Sequence, residues 1–389
     1  MKYPVAHRTL SFQESVIRKM TRVCQQYGGI NLAQGFPERD PPIEILEEAL
    51  RAIQGGRNQY SITWGIPELR QAVAQKMRRL CGLAVDPETE VTITCGSSEA
   101  ITASLLALVD PGDEVIIFDP HYENYLPGLA LCGAQPIFQS LREPDWGIDE
   151  EKLRRAFSRK PKAILLNTPA NPSGKVFSRE ELQTIGHLCQ DHGTYVITDE
   201  IYEHIVFDGL EHIRIASLPG MWERTVTISG CSKTYSVTGW RVGYVVAPSG
   251  PMGAIRKVHD YMTVAAPTPF QIAAIKALHL PDAYYQELSA SYQRPRDFLL
   301  QAFAELSLPV YRPSGAYYMM LRIDGLGYEN DEALAMAMVE KVGLAVVPGS
   351  SFYHRPEEGR NKIRICFAKG WDTLVEVKER FARFVDASS

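Results

Sequence analysis

The sequence predicts an α/β protein with two domains: a mostly parallel central sheet covered by helices on both faces, and a smaller α+β domain. Between Glu90 and about Pro248, short apolar runs alternate with helical patterns, which is typical of a parallel sheet buried on both faces. A smaller unit of mixed helices and strands follows. We therefore predict a large domain over residues 41–284 and a small domain built from residues 1–40 and 285–389.

The composition favours a soluble protein that acts on a small molecule. The chain has 389 residues, of which 45% are hydrophobic and 22% are charged, so it is long enough to form two folded domains. A net charge of -5 without a basic or acidic tail argues against nucleic acid and membrane surfaces as partners. The seven cysteines are scattered, and no signal peptide or membrane-spanning run is visible. We expect a cytoplasmic protein with reduced thiols.

The N-terminal part is predicted to form a helix, a loop and two more helices. Apolar residues recur with a helical period over Ser11–Tyr27, and a Gly-Gly pair ends the pattern. Residues 30–42 contain Gly35 and three prolines, which predicts an irregular loop that brings backbone close to a ligand. Helices are expected at about Ile43–Ile53 and Pro67–Leu80.

The remaining elements follow from hydrophobic periodicity. The predicted strands of the large sheet are Val91–Cys95, Glu114–Phe118, Gln135–Gln139, Ala163–Asn167, Thr194–Thr198, Thr225–Ser229 and Val242–Ala247. Since crossovers between parallel strands are right-handed, the loops after these strands should share one edge. The chain is predicted to become helical after Pro267. The elements expected there are a helix at Asp282–Leu306, a strand at Tyr317–Arg322, a helix at Asp331–Val342, strands at Leu344–Val347 and Ile363–Phe367, and a helix from Asp372.

The segment Ser229–Tyr244 carries the strongest chemical signal. Lys233 follows a predicted strand, at the sheet edge where α/β enzymes bind ligands. Ser232 and Arg241 offer a hydroxyl and a guanidinium, which suit a phosphate. Pyridoxal phosphate fits this combination because it joins a lysine as a Schiff base and carries a phosphate. Taken alone, Lys233 is equally compatible with a surface lysine after a strand.

A second anion-binding feature is predicted where the strand Val91–Cys95 passes into a helix. The backbone N–H groups and hydroxyls of Ser97 and Ser98 would point out of the helix N-terminus, where anions bind. Together with Gly96, these residues form what we call the anion cup. The alternative is an N-cap serine that binds no ligand.

Aromatic and acidic side chains follow the neighbouring strands. Tyr122 could stack on a flat heterocycle, although a tyrosine of the core or surface is the alternative. Asp199 ends a buried strand, where a carboxylate needs a cationic partner, and a protonated pyridine nitrogen is one. Tyr202 would share a helical face with Asp199 and could donate to the ring oxygen.

A metal site is the alternative use of this acidic segment. Glu200 or Glu203 with His204 has a spacing that can chelate a metal ion. No second histidine cluster supports this interpretation, so we expect no metal.

Several of these motifs resemble those of class I/II aminotransferases, the fold-type-I pyridoxal phosphate enzymes. Ser-Lys-Thr at Lys233 followed by Gly-Trp-Arg-x-Gly resembles the family's cofactor-lysine signature, and Asn-Pro-Ser-Gly at Asn171 resembles its Asn-Pro-x-Gly loop. About seven motifs occur in the family's order from Gly35 to Arg364. The Gln-Gly-Phe-Pro loop resembles the methionine, aromatic and kynurenine branch. Gly230 departs from the pattern, because many relatives carry serine or threonine there.

The resemblance implies an aminotransferase that moves an amino group from an L-amino acid to a 2-oxo acid by a ping-pong mechanism. It assigns Lys233, Asp199 and Tyr202 to catalysis. The cofactor-binding residues that it implies are Gly96, Ser97, Ser98, Tyr122, Asn171, Asp199, Tyr202, Ser232, Lys233, Arg241 and Tyr60. Gly35, Asn171 and Arg364 are implied to bind substrate, with Arg364 on the α-carboxylate. Tyr60 matches a tyrosine that reaches the neighbouring subunit's phosphate, which implies a homodimer.

The resemblance leaves the substrate and two rival functions open. Neutral, bulky donors such as methionine, aromatic amino acids, leucine or glutamine are expected, because Phe36 with Tyr122 and Trp64 could form an apolar wall. An aspartate aminotransferase is the alternative if Arg39 binds a distal carboxylate. A carbon-sulfur β-lyase on the same fold is a further alternative. A transcription regulator of this fold would need an N-terminal DNA-binding domain, and we expect none because only about thirty residues precede Gly35.

Overall fold

The structure, a computed structural model, describes residues 5–10, 12 and 14–387. Its strands are β1 (Ile30–Asn31), β2 (Val91–Thr94), β3 (Glu114–Asp119), β4 (Gln135–Ser140), β5 (Ala163–Asn167), β6 (Tyr195–Asp199), β7 (Thr225–Gly230), β8 (Gly243–Val246), β9 (Val310–Tyr311), β10 (Tyr318–Arg322), β11 (Leu344–Ala345), β12 (Val347–Pro348) and β13 (Lys362–Cys366). Its α-helices are α1 (Val16–Gln26), α2 (Ile43–Gln54), α3 (Pro67–Cys81), α4 (Ser97–Leu108), α5 (Tyr125–Cys132), α6 (Glu150–Phe157), α7 (Arg179–His192), α8 (Ser249–Thr263), α9 (Thr268–Leu278), α10 (Asp282–Glu305), α11 (Asp331–Val342) and α12 (Trp371–Asp386).

A seven-stranded sheet forms the centre of the molecule, with the order β2-β8-β7-β6-β5-β3-β4. All seven strands predicted for it are present, and every neighbouring pair is parallel except the two that involve β8. The predicted α/β fold with a mostly parallel sheet is therefore confirmed. β8 is antiparallel to its two neighbours. Its first residue, close to Arg241, therefore lies at the edge of the sheet where the parallel strands end.

The N-terminal helix is shorter than predicted. It begins at Val16, because the side chain of Ser15 caps it by accepting a hydrogen bond from the backbone N–H of Arg18. Residues 7–10 form a separate turn of 3₁₀ helix, and Ser11, the predicted start, lies outside the described residues.

The segment predicted as an irregular loop contributes a short strand to a second region. Its first residues form β1, which pairs in parallel with β11 through Ile30 and Leu344. Further along, Leu32 accepts a hydrogen bond from the backbone of Cys366 in β13. β13 belongs to a four-stranded sheet of order β12-β13-β10-β9. These contacts support our proposal that residues 1–40 and 285–389 form one small domain and residues 41–284 the large one.

Two further predictions need correction. The helical part of the chain begins at Ser249 in α8, before Pro267, because the strand β8 is short and ends at Val246. The strand predicted at Leu344–Val347 is divided into β11 and β12, which pair with β1 and β13 respectively.

None of the helices that the structure describes has the length and hydrophobicity of a membrane-spanning segment. All seven cysteines are described and have free thiols.

Candidate active site

A cavity of about 560 Å³ opens at the edge of the large sheet where the parallel strands end. Most of the predicted site residues line it, although they come from distant parts of the chain. They are Gly35, Ser97, Ser98, Tyr122, Asn171, Asp199, Tyr202, Ser232, Lys233 and Arg241. The structure thus brings the two predicted anion-binding features into one space with Lys233 and Asp199.

The anion cup lies at the N-terminus of α4. Gly96 precedes the helix with a φ of 80°, a conformation that favours glycine, and a Cβ at this position would overlap the guanidinium of Arg241. Arg241 donates to the backbone oxygens of Thr238 and Cys95, so its side chain is fixed against the cup. The buried hydroxyl of Ser232 has no hydrogen-bond partner among the described residues. Helix N–H groups, a guanidinium and an unpaired hydroxyl together fit a phosphate.

Lys233 extends into the cavity from the loop after β7. Its Nζ lies 2.8 Å from the carbonyl oxygen of Gly35 and donates a hydrogen bond to it. Burial lowers the pKa of Lys233 to about 8. Gly35 must be glycine, because a Cβ there would overlap the hydroxyl of Tyr318. The amine is therefore positioned by backbone, and its lowered pKa leaves part of it in the neutral, nucleophilic form at physiological pH.

Asp199 ends β6 and is only 3% exposed. Its Oδ2 accepts a hydrogen bond of 2.9 Å from the hydroxyl of Tyr125, and its Oδ1 accepts one of 3.3 Å from the backbone of Ile201. Burial raises the pKa of Asp199 to about 6, although the bond from Tyr125 opposes this shift. A buried carboxylate with a raised pKa is suited to a cationic ligand group that restores its ionised form.

Tyr202 reaches the cavity by a different geometry from the one predicted. Helical spacing was expected to place it on one face with Asp199, but residues 201–204 form turns after β6. The hydroxyl of Tyr202 lies 3.0 Å from that of Tyr318, and both side chains line the cavity. The prediction of a shared helical face was wrong, whereas both residues do face the same space.

A chain of hydrogen bonds leads from the sheet edge to Arg364. Asn167 donates to the backbone oxygen of Asp199 and accepts from the backbone N–H of Asn171. The Oδ1 of Asn171 then accepts a hydrogen bond of 2.9 Å from Nη1 of Arg364. Arg364 is 0% exposed, and its guanidinium lies 4.3 Å from the ring centre of Tyr318. Its Nε has no partner among the described residues, so a donor remains for a carboxylate.

Three predicted site residues do not line the cavity of this chain. Gly96, the first residue of the anion cup, lies against the guanidinium of Arg241, and Arg364 lies behind Asn171 and Tyr318. Tyr60 is 84% exposed on a surface loop and does not contact the cavity of its own chain. An exposed tyrosine in this position is compatible with the cross-subunit role that the resemblance implies.

The acidic segment that was weighed as a metal site forms a buried ion network instead. Glu203 accepts hydrogen bonds from Lys76 and Arg214, and Glu200 lies 2.8 Å from a ring nitrogen of His212. No group of side chains among the described residues is arranged to hold a metal ion. Lys76 and Arg214 supply the positive charges of this network, which compensate the buried carboxylates.

Several residues in or beside the cavity are not marked by any sequence motif. Tyr125 and Tyr318 support Asp199 and Tyr202, and Arg18 and Glu123 line the opening. Glu123 accepts hydrogen bonds from the hydroxyl of Ser15 and the backbone of Val16, at the start of α1. Only the helical period of the first helix hinted at this region, and a period does not reveal which side chains face a distant cavity.

The chain is similar to known proteins over nearly its whole length. A family model described as Aminotransferase class I and II matches residues 27–377. The chain is 37% identical to the probable N-succinyldiaminopimelate aminotransferase DapC of Mycobacterium tuberculosis, with 96% of this chain and 97% of that protein covered. It is 36% identical to the methionine aminotransferase of Escherichia coli, with coverages of 94% and 95%. The solved structure of the Mycobacterium tuberculosis N-succinyldiaminopimelate aminotransferase matches with a TM-score of 0.95 at 36% identity, covering 98% of this chain and all 100% of that one.

Proposed function

This chain belongs to the class I and II aminotransferases and is a pyridoxal phosphate-dependent enzyme, and from that premise we propose which of its residues act and which substrates it takes. The observation that carries the proposal is the placement of Lys233 and Asp199 in one cavity beside the anion cup. We propose that neutral, bulky L-amino acids donate the amino group and that a 2-oxo acid accepts it in a second half-reaction.

The residues of the cavity fit the cofactor group by group. Pyridoxal phosphate, when bound, supplies the aldehyde that takes the amino group and the ring that takes up electrons from the substrate. The anion cup with Ser232 and Arg241 would hold its phosphate, and Lys233 would hold its aldehyde carbon. Asp199 would hold the proton on its ring nitrogen, and Tyr125 would keep that carboxylate in place.

Lys233 and Arg364 would handle the substrate. The guanidinium of Arg364, with Asn171, would bind the α-carboxylate as a bidentate pair. With the carboxylate fixed, the Cα–H bond can be directed at Nζ of Lys233. The lowered pKa of Lys233 leaves part of the amine unprotonated near neutral pH, so it can take the Cα proton as a general base.

The surroundings of the cavity support neutral donors. Phe36, Ile17, Ile201 and Tyr318 add apolar surface to it. Trp64, which was expected in this wall, does not line the cavity. Arg39 does not line it either. The methionine aminotransferase of Escherichia coli supports this proposal by its name, whereas the Mycobacterium tuberculosis relative is named for a succinylated substrate.

Arg39 is occupied elsewhere in this chain. It donates a hydrogen bond of 2.9 Å to the hydroxyl of Ser291 and lies 5.8 Å from the ring centre of Tyr284. Among the described residues, the cationic side chains that line the cavity are Lys233, Arg241 and Arg18. An acidic side chain would therefore meet Arg18 rather than Arg39.

We expect kcat/KM for methionine to exceed that for aspartate by at least about tenfold, because Arg18 is exposed and an exposed ion pair offsets little of the cost of desolvating a distal carboxylate, which leaves a difference of roughly 1.4 kcal/mol. Initial rates with both donors, and the change of the cofactor spectrum in single turnovers, measure this ratio. Arg39→Ala should leave the ratio unchanged, whereas Arg18→Met should lower the rate with aspartate only.

A preference for aspartate in the wild type, lost in either arginine variant, would overturn the proposed specificity. Release of pyruvate and ammonia from cystathionine, without formation of an oxo acid from the donor, would identify the alternative β-lyase.

We propose a cytoplasmic homodimer. The seven free thiols support a reducing compartment. Apolar side chains gather on two neighbouring segments of the surface, where Tyr60 and Ile62 are exposed on one and Tyr261, Met262 and Val264 on the other, with Tyr261 92% exposed. Exposed apolar residues in such a cluster mark a protein interface, and a second copy would bring Tyr60 to the partner's phosphate site.

Mixing Lys233→Ala and Tyr60→Ala parents should restore about a quarter of wild-type activity, since half of the dimers are hybrids with one complete site. The assay should use a cofactor concentration at which the Tyr60→Ala parent is largely unloaded. As a control, Lys233→Ala mixed with Asp199→Asn should restore nothing, because both residues belong to one chain's cavity. A fully active monomer in analytical ultracentrifugation would refute the shared site.

A further inference from the structure

A buried histidine links the anion cup to the loop that carries Tyr60. His259 of α8 is 0% exposed. Its Nδ1 lies 2.9 Å from a carboxylate oxygen of Glu99, and its Nε2 lies 2.7 Å from the backbone oxygen of Thr63. The other carboxylate oxygen of Glu99 accepts a hydrogen bond of 2.8 Å from the backbone N–H of Cys95.

With Glu99 ionised, both ring nitrogens of His259 must donate. A carboxylate and a carbonyl oxygen only accept, and a neutral imidazole has a single N–H. The hydroxyl of Thr263, 3.2 Å from Nδ1, does not remove the need, because the Glu99 carboxylate is nearer to the same nitrogen. Burial disfavours the charged ring, but the bond to Glu99, with support from Thr63 and Asp260, raises the pKa of His259. The pair is therefore a buried imidazolium and carboxylate.

The position of this ion pair gives it a specific connection. Glu99 lies in the first turn of α4, directly after Ser97 and Ser98, and fixes the backbone that enters the anion cup. Thr63 belongs to residues 58–65, which we call the Tyr60 loop. On the outer side of the same end of α8, Tyr261 is exposed next to the proposed dimer surface. Two bonds from one ring thus fix the Tyr60 loop to the cup of its own chain.

We propose that Glu99 and His259 form a positioning pair, which holds the Tyr60 loop where Tyr60 can bind the phosphate in the partner's active site. The pair touches neither cofactor nor substrate. His259 contacts the Tyr60 loop through Thr63, while Glu99 keeps its own bond from Cys95, so loss of His259 should change cofactor affinity in the site of the other subunit. This inference rests on the proposed function and on the shared site in particular.

The first test is cofactor affinity in His259→Gln. Titration of the cofactor-free protein with pyridoxal phosphate, followed by its absorbance, should show a dissociation constant about ten- to a hundredfold higher than in the wild type, the scale of one hydrogen bond to a charged group. His279→Gln is the matched control, because His279 is exposed directly after α9 and, among the described residues, its ring hydrogen-bonds only to the backbone oxygen of Ile275. This control should bind the cofactor as the wild type does.

A double-mutant cycle separates positioning of Tyr60 from general loosening of the fold. If His259 acts through Tyr60, the loss of affinity caused by Tyr60→Phe should shrink in the His259→Gln background. Equal losses from Tyr60→Phe in both backgrounds would overturn the proposal. Glu99→Gln, which keeps the shape of the side chain, provides the same cycle if His259→Gln does not fold.

Hybrid dimers decide whether the effect crosses the interface. One subunit carries Lys233→Ala together with His259→Gln, and the other is wild type, so borohydride can fix the cofactor only on the wild-type subunit. The concentration needed for half-maximal labelling should rise about as much as in the His259→Gln homodimer. Unchanged labelling in this hybrid would overturn the proposal. Absence of label on Lys233 in the wild type would instead contradict the proposed function.

Discussion

Lys233→Ala is expected to lose more than about 10⁴-fold in kcat, because it removes both the covalent attachment of the cofactor and the general base, and base catalysis alone contributes about 10²- to 10⁴-fold. No other lysine of the described chain lines the cavity. The wild-type protein should be yellow and borohydride should fix its cofactor on Lys233, whereas the variant should take up no label. Peptide mapping by mass spectrometry locates the label.

A second buried lysine provides the control for Lys233→Ala. Lys175 pairs with Glu181 at 2.8 Å and does not line the cavity. Lys175→Met should therefore keep its label on Lys233 even if it loses stability. A label on any other lysine in the wild type would show that the central assignment is wrong.

Asp199→Asn is expected to lower kcat by at least about 10²-fold, the size of effect that one electrostatic partner of a reacting centre contributes. An amide cannot hold the proton on the ring nitrogen as a carboxylate does. Stopped-flow absorbance of the first half-reaction with methionine measures this loss directly. A variant within threefold of the wild type would exclude Asp199 as the partner of the ring nitrogen.

The same substitution should stabilise the cofactor-free protein. The pKa of Asp199 is about 6 in the folded state, against 3.8 as its ordinary value. The folded state therefore holds this proton more tightly than the unfolded state, and wild-type stability falls as pH rises from about 4 through 6. Asp199→Asn lacks that fall, so it should be more stable by on the order of 3 kcal/mol above pH 6 and equally stable near pH 4. Thermal unfolding at several pH values tests both statements.

Asp208→Asn serves as a control of opposite sign. Hydrogen bonds from Arg296 lower the pKa of Asp208 to about 2, so its ionised form stabilises the folded state. Its replacement should destabilise the cofactor-free protein at neutral pH. If both asparagine variants shifted stability in the same direction, the cost assigned to the Asp199 carboxylate would be wrong.

The strands of the large sheet could be predicted because each of them is a local pattern. The run Ala163–Leu166 is apolar throughout, and the structure buries all four of these residues. The loops after these strands meet at one edge as a result of topology, so Lys233, Asp199 and the anion cup could be expected together. What the resemblance added was the meaning of residues such as Asn171 and Arg364.

Contacts between distant segments could not be predicted in this way. The bond from Tyr125 to Asp199 depends on how α5 lies over the sheet, and no local pattern marks it. The pairing of Ile30 with Leu344 is invisible for the same reason, since two residues are too few for a periodic signal. Arg18 lines the cavity because the first helix packs beside that cavity. In the sequence it is a charged residue on a polar helix face, which cannot be distinguished from a solvent-exposed arginine.

The pairing of β1 with β11 also sets an order for assembly during synthesis. β1 is made early, whereas its partner strand β11 is made near the end of the chain. The same holds for Cys366 of β13, whose backbone N–H donates a hydrogen bond to the carbonyl oxygen of Leu32. The loop that contains Gly35 follows β1 directly, and the backbone oxygen of Gly35 accepts the hydrogen bond from Lys233. The lysine, the acidic residue and the anion cup can thus be in place on a growing chain before its substrate-binding wall exists. A chain that ended before β10 would therefore lack the wall to which Tyr318 and Arg364 belong.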